Sequence, residues 1–215
     1  MQERKLSTRI LFAVVGAVLL SAGLQVTIGI DWGVSMFDTA TLAMAGITGV
    51  NFGNAAVLLH SIFLIILIVG MKKLESKWSE LALSAISIFA LTRVINLFQF
   101  IADGVANATI DAFIVNLVLF VVSVFVFCIG IYFMSKSNLF IAPYDRFCLQ
   151  LSWATGKDLG TARLMSDVTL FVITIILSIV LDLGVTISFG TAYLIFTSGL
   201  QVNLVHKIFK IEDVH

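Results

Sequence analysis

Six stretches of the chain stay apolar over the roughly 20 residues that an α-helix needs to cross the hydrocarbon core of a bilayer. Their positions are 10–29, 53–70, 81–101, 112–134, 164–182 and 186–205. Apolar residues make up 60% of the chain and charged residues 12%, whereas soluble domains are about half apolar and about a quarter charged. The sequence therefore predicts an all-α polytopic membrane protein with six transmembrane helices.

The two halves of the chain match each other at one constant offset, which takes position 38 to position 145. Residues that are scarce or sterically special in spans recur at this offset: Asp38/Asp145, Gly49/Gly156, Gly53/Gly160 and Asn96/Asn203. Each half, 1–105 and 106–215, then holds three spans and one shorter segment. Because three is an odd number, the second half enters the membrane from the opposite face. The offset thus predicts two inverted three-helix repeats, an architecture found in transporters.

The basic residues favour a topology in which the shorter segments do not cross the membrane. In that topology, twelve of the 13 Lys and Arg residues lie on one side, and only Arg93 lies within a span. Cytoplasmic loops collect Lys and Arg, so we expect both termini in the cytoplasm. If the shorter segments crossed, Lys72, Lys73 and Lys77 would lie outside.

Both shorter segments carry signals of a helix start. Ser35 followed by Asp38 has the spacing of a capping box, and Pro143 suits the first helical position. Asp38 and Asp145 each place a carboxylate in the first turn, where the positive end of the helix dipole stabilises it. The sequence therefore predicts short helices that begin at these matching positions.

The short helices are predicted over 35–49 and 142–156, and Gly49 and Gly156 are typical helix stops. About 13 residues give a helix of roughly 20 Å, which is too short to cross the bilayer. Each short helix is therefore re-entrant or lies at an interface. We favour re-entrant helices, because the small residues of 39–49 suit close burial inside the protein.

The motifs resemble those of the YczE/YyaS/YitT group of bacterial integral membrane proteins. In the second half they are Ala142-Pro143-Tyr144-Asp145 and Thr155-Gly156 to Gly160; in the first half they are Ser35-Met36-Phe37-Asp38 and Thr48-Gly49 to Gly53. The first half departs from the pattern at Met36, where a proline is more usual. The resemblance covers nearly the whole chain and implies a membrane fold in the bacterial cell membrane. It implies no defined activity.

Arg93 is the strongest candidate for a solute-binding residue. Charges within a span are costly and usually face the protein interior with a partner. Arg93 is therefore expected to bind an anionic solute group, to pair with Asp38 in a structural ion pair, or to extend its side chain to the interface. Asp38 and Asp145 are either helix-start carboxylates or symmetry-related ligands.

His60, Asn96 and Asn203 are further candidates for binding a solute. Each is also explained by hydrogen bonds between helices. His60 could alternatively relay protons.

Three functions are compatible with these features. The first is a small-solute transporter or channel with its site at the repeat interface. The second is the substrate-binding membrane subunit of a vitamin-type uptake system, which would need separate ATPase subunits. The third is a non-transporting regulator or assembly factor. A homo-oligomer is compatible with each.

An enzyme is not expected. The two cysteines and three histidines are scattered, which predicts no catalytic or metal-binding arrangement and no cofactor. The net charge of zero implies no nucleic-acid partner. The lipid bilayer and an unidentified solute are the expected contacts.

Overall fold

The computed structural model describes residues 5–50, 52–70, 78–108, 113–180 and 188–210. These residues contain nine α-helices and no strand. The helices are α1 (Leu6–Ile30), α2 (Met36–Thr48), α3 (Phe52–Val69), α4 (Trp78–Leu97), α5 (Gln99–Asn107), α6 (Phe113–Ser137), α7 (Pro143–Thr155), α8 (Leu159–Val180) and α9 (Phe189–Phe209).

Four helical segments of the described chain are long and apolar enough to cross a membrane: α1, α4 continued by α5, α6 and α8. Helices α2 and α3 would together add a fifth span, bent by 110° between Met36–Thr48 and Gly53–Val69. The predicted all-α membrane protein is confirmed in this form. A sixth crossing by the 186–205 stretch, which lies largely in α9, stays a prediction.

The helix bounds repeat at the offset that takes position 38 to position 145. Three pairs of helices share their bounds or their starts after this shift: α1 (6–30) with α6 (113–137), α2 (36–48) with α7 (143–155), and α3 (from 52) with α8 (from 159). The first three helices of each half therefore form at matching positions of the sequence.

Helices α1 and α6 approach each other closely along four small residues, Gly16, Gly23, Ser123 and Gly130, which we call the glycine seam. A Cβ atom added at Gly16 would lie 2.9 Å from the Gly130 carbonyl oxygen, and one added at Gly23 would lie 2.6 Å from the Ser123 carbonyl oxygen. The earlier residue of α1, Gly16, contacts the later residue of α6, Gly130, and Gly23 contacts Ser123. The two helices therefore run antiparallel. Close backbone approach through small residues is typical of membrane helix pairs.

One end of the α1–α6 pair is held by a charged side chain. Arg9 donates from Nε to the Ser137 carbonyl oxygen at 2.9 Å and from Nη2 to the Asn138 carbonyl oxygen at 3.0 Å. These carbonyls lie at the C-terminal end of α6, where the last turn has no backbone donor and a cation is favourable. Arg9 therefore ties the start of α1 to the end of α6.

The short helices begin and end much as the sequence indicates. The Ser35 hydroxyl accepts from the Asp38 backbone N–H at 3.2 Å, while Ala142 precedes α7 and Pro143 is its first residue. Gly49 and Gly156 end α2 and α7 with φ angles of 69° and 66°. Glycine adopts this left-handed backbone without the steric penalty of a side chain.

Each short helix is buried at its start and exposed at its end. Residues 35–41 and 141–144 are buried, whereas 46–49 and 154–158 are exposed. The two helix N-termini therefore lie inside the bundle.

We expect Gly23→Ala to lower the free energy of unfolding in detergent by about 1–3 kcal/mol, the usual effect of overpacking a core. The added methyl group would lie 2.6 Å from the Ser123 carbonyl oxygen, so α1 and α6 must separate. Unfolding by SDS titration, followed by circular dichroism, measures the change.

Gly104→Ala in α5 is the matched control, because no atom lies within 4 Å of a Cβ placed there. It should leave the stability unchanged or slightly raised, since alanine favours helices over glycine. Equal effects of the two substitutions would contradict the proposed tight contact.

Candidate functional site

The starts of the two short helices meet inside the bundle. The ring of Phe37 on α2 lies 5.0 Å from the ring of Tyr144 on α7, measured between centroids. Phe63 on α3 packs edge-on against Tyr144 at 4.9 Å. Phe37 and Tyr144 occupy matching positions of the two halves, so equivalent residues contact each other at this point.

A buried arginine lies beside these rings. Arg163 is 3% exposed, and its Nη1 is 2.5 Å from Asp145 Oδ1. Its Nε is 3.9 Å from Asp167 Oδ2, one helical turn further along α8. The guanidinium carbon lies 5.5 Å from the centroid of the Tyr144 ring. One guanidinium thus connects carboxylates of α7 and α8 in the interior.

Two hydroxyl groups complete the surroundings of Asp167. The Tyr144 hydroxyl donates to Asp167 Oδ1, and the Ser198 hydroxyl donates to Oδ2 at 3.4 Å. Asp167 is 3% exposed. Buried charged groups require such partners because they have lost their contacts with water.

Asp38 on α2 has neutral neighbours instead. It is 8% exposed, and its Oδ2 accepts from the Ser35 hydroxyl at 2.6 Å. Among the described residues it has no salt bridge, although Arg163, Asp145 and Asp167 lie within electrostatic reach. His60 stacks on Phe37, the residue that precedes Asp38, with the ring centroids 4.3 Å apart.

Together, Asp38, His60, Tyr144, Asp145, Arg163 and Asp167 form what we call the central cluster. It contains three carboxyl groups and one guanidinium. Two buried nitrogens, His60 Nδ1 and Arg163 Nε, have no hydrogen-bond partner among the described residues. The cluster is therefore rich in negative charge and retains unused hydrogen-bonding capacity.

A polar cavity of about 620 Å³ opens on the side of the bundle where α7 and α9 end. Its polar lining includes Glu80, Lys136, Asn138, Ser152, Lys157, Asp158, Asn203 and His206. Cavities of this volume accommodate small organic molecules.

The cavity and the central cluster are separated by one layer of side chains. Leu149, Leu159 and Val202 line the cavity. Asp145 lies four residues before Leu149 on α7, and Arg163 lies four residues after Leu159 on α8. On α9, Ser198 lies four residues before Val202. Four residues make about one helical turn, roughly 5.4 Å. The charges of the cluster thus lie about one turn deeper than the cavity floor.

A second buried cation supports the cavity wall. Arg146 is 0% exposed; its Nη1 donates to Asn138 Oδ1 at 2.5 Å and lies 3.6 Å from Glu80 Oε2. Its Nε donates to the Ser84 hydroxyl at 3.2 Å. Arg146 on α7 and Arg163 on α8 are therefore both buried cations on helices.

Asn203 reaches across from α9 to the start of α8. Its Oδ1 accepts from the Gly160 N–H at 3.0 Å, and its Nδ2 donates to Asp158 Oδ1 at 2.5 Å. Partial desolvation alone would raise the pKa of Asp158, but hydrogen bonds from Thr161 and Asn203 outweigh it and hold the pKa below its usual range. The hydrogen-bonding role expected for Asn203 is therefore present.

Arg93 and Asn96 lie apart from the central cluster. Both are exposed on α4, and Arg93 makes no hydrogen bond or ion pair with the described residues. The expectation that Arg93 faces the interior and pairs with Asp38 is wrong, since the interior guanidinium near Asp38 is that of Arg163. Gly53 lies in the first turn of α3, half-buried.

A family model matches the chain from residue 7 to residue 207. The chain belongs to the DUF6198 family. This family is described as one of unknown function. No curated protein and no solved structure matches the chain. The resemblance to the YczE/YyaS/YitT group stays a prediction, since the DUF6198 description does not refer to that group.

The central residue of this DUF6198 chain, Arg163, is absent from the sequence-based candidates. The fifth apolar stretch begins at 164, which places Arg163 in a loop when apolarity alone is considered. One signal in the sequence favours a different assignment. Arg163 lies four residues before Asp167, the spacing of an ion pair on one helix face.

We expect Arg163→Met to reduce the free energy of unfolding of this DUF6198 protein by about 3–5 kcal/mol, the usual effect of removing one partner from a buried ion pair. The change leaves Asp145 and Asp167 without their cation. SDS titration of the purified protein measures the loss.

Arg93→Met is the matched control, because the Arg93 side chain is exposed, and it should leave stability nearly unchanged. The double variant Arg163→Met with Asp145→Asn should recover part of the loss, because one unpaired charge is removed. A loss as large for Arg93→Met would contradict the assignment of Arg163 as the central cation.

Proposed function

We propose that this chain is a small-solute transporter or channel of the bacterial cell membrane, with its route leading from the polar cavity to the central cluster. The observation that carries the proposal is a charged cluster inside an apolar helical bundle, one turn below a cavity of about 620 Å³. Ionisable groups inside a membrane protein are costly to bury and mark solute or ion pathways. A regulator with a solid interior would need neither feature.

The proposal includes two inverted three-helix repeats. It is supported by the helix bounds that recur at a constant offset between the halves and by the antiparallel glycine seam. In that seam, Gly16 contacts Gly130 and Gly23 contacts Ser123. The offset takes position 16 to position 123 and position 23 to position 130. Exchanging the two halves therefore turns the Gly16–Gly130 contact into the Ser123–Gly23 contact. A two-fold axis between antiparallel halves has this property.

Helices α2 and α7 are re-entrant in this proposal. Their buried N-termini and exposed C-termini support it, as does the 110° bend between α2 and α3. Each helix would begin at the middle of the membrane and end at the surface, and the two would end on opposite surfaces. Broken helices that begin at the midplane form the binding sites of many transporters.

The layer of Leu149, Leu159 and Val202 closes the proposed route between the cavity and the cluster. Leu149 and Val202 are buried, so a solute reaches the cluster only when this layer moves. The cavity side carries Lys136, Lys157 and, at the end of α9, Lys207, which supports a cytoplasmic position.

The inverted arrangement predicts the accessibility of two matching threonines. Thr48 and Thr155 are both exposed at the ends of α2 and α7, while the native Cys128 and Cys148 are buried. We expect a membrane-impermeant maleimide to label Thr48→Cys in intact cells and Thr155→Cys only in inside-out vesicles. Labelling of both positions from the same side would rule out the inverted repeat.

Transport itself is tested with the whole chain in proteoliposomes. A thermal-shift screen against amino acids, short-chain carboxylates and inorganic phosphate selects the solutes to be radiolabelled. We expect uptake of at least one of them, and we expect Ser135→Trp to reduce it to the level of empty liposomes. The new side chain would fill the cavity that Ser135 lines.

Val122→Trp is the control, because this position of α6 is 54% exposed on the outer surface. It should leave uptake unchanged. Absence of uptake by the chain alone, with ATPase subunits co-purifying in mild detergent, would support the uptake-subunit alternative instead.

A further inference from the structure

Members of the central cluster lie at matching positions of the two halves, but only the two first-turn aspartates are identical. Asp38 and Asp145 occupy matching positions of the two halves, and so do His60 and Asp167. The counterpart of Arg163, however, is Ala56. The guanidinium therefore neutralises the carboxylate of the second half, at 2.5 Å, while the carboxyl group of the first half has no cation of its own.

Asp38 makes few polar contacts within the described residues. Its Oδ2 bonds the Ser35 hydroxyl at 2.6 Å, and its Oδ1 makes no hydrogen bond with them. Met36, Phe37 and Ala40 are buried near it on α2, and the buried hydroxyls of Thr39 and Thr41 donate to backbone carbonyl oxygens instead of to Asp38. An ionised carboxylate in such surroundings is strongly disfavoured without a cation or several donors.

The charged and titratable groups around Asp38 do not supply the missing positive charge. Arg163 and Asp167 on α8 and Asp145 on α7 act on it directly. His60 on α3 and Tyr144 on α7 lie against the ring of Phe37, the residue before it, and the thiols of Cys128 on α6 and Cys148 on α7 lie near Arg163. Arg163 contributes one positive charge, and Asp145 and Asp167 already contact it. A third ionised carboxylate would leave the interior with two uncompensated negative charges.

The geometry points to Asp38 as a proton-binding site that holds a proton on its carboxyl group in this conformation. With Asp38 ionised, its Oδ2 accepts from the Ser35 hydroxyl. When the proton is bound, this bond reverses and Asp38 donates to the Ser35 oxygen, which has a second lone pair for the bond from the Asp38 backbone N–H. The proton is drawn from water and returned to water, so no other reactant is needed.

A metal ion fits the site less well than a proton. The described residues contain no group of three or more His, Cys, Asp or Glu side chains arranged to hold a metal ion. The buried Nδ1 of His60, which has no hydrogen-bond partner in the described chain, lies on the ring stacked against Phe37. A second proton-accepting group therefore lies against Phe37, the residue that precedes Asp38 in α2.

Infrared spectroscopy of the purified full chain tests the proton directly. A protonated carboxylic acid absorbs apart from carboxylates, and we expect its band in the wild-type protein at neutral pH. Labelling aspartate with carbon-13 at the carboxyl group should shift the band. Asp38→Asn should abolish it, and Asp103→Asn, which changes an exposed aspartate of α5, should leave it intact.

Ser35→Ala provides a second test in case the Asp38→Asn variant does not fold. The matching position of α7 is Ala142, which precedes that helix without a side-chain cap, so alanine is expected to permit α2 to form. Without the Ser35 hydroxyl, the band should move in frequency but remain. A band that is absent from the wild type, or unchanged in both Ser35→Ala and Asp38→Asn, would overturn the assignment.

Sodium chloride added at constant pH separates a proton site from a sodium site. The band should persist; its loss together with proton release would show that sodium binds instead. A role of this proton as the coupling ion rests on the proposed transport function. The infrared measurement is independent of that function, because it requires no solute. A protonated Asp38 in a chain without solute flux would therefore reject transport and leave the proton site standing.

Discussion

The ion pairs of Arg163 with Asp145 and Asp167 are the interaction on which the interior of this bundle depends. Removing a charge from water is expensive, and a buried cation is stable only when its partners are held in place. Asp145 comes from the start of α7 and Asp167 from the third turn of α8. The buried charge of Arg163 is therefore stabilised only while α7 keeps its position inside the bundle. Tyr144 and Ser198 complete the arrangement through Asp167.

Local features of the sequence predict the helices well. Long apolar stretches, Pro143 and the glycines at 49 and 156 act within one or two turns of chain, so they determine helix starts and ends largely without tertiary contacts. The short helices accordingly begin and end within a residue of their predicted bounds. The positions of the apolar stretches likewise follow from composition alone.

The central cluster is harder to predict, because it depends on which way each helix faces. Buried Ile88 and Leu91 alternate on α4 with exposed Ile86 and Phe89, so apolarity alone does not indicate which side of the helix faces inwards. Arg93 consequently lies outside, against expectation. Arg163 shows the opposite error, since a basic residue beside an apolar stretch resembles a loop residue. Its spacing to Asp167 is a weak sequence signal of an ion pair, and its contacts with carboxylates from two helices show its burial.

The glycine seam also has a consequence for biosynthesis. Helix α1 emerges from the ribosome first, yet the surface that fits its small residues belongs to α6, which is made after roughly half of the chain. The small-residue face of α1 must therefore stay covered by lipid or by the insertion machinery until α6 has been inserted. The order of synthesis makes the completion of this pair a late event in assembly.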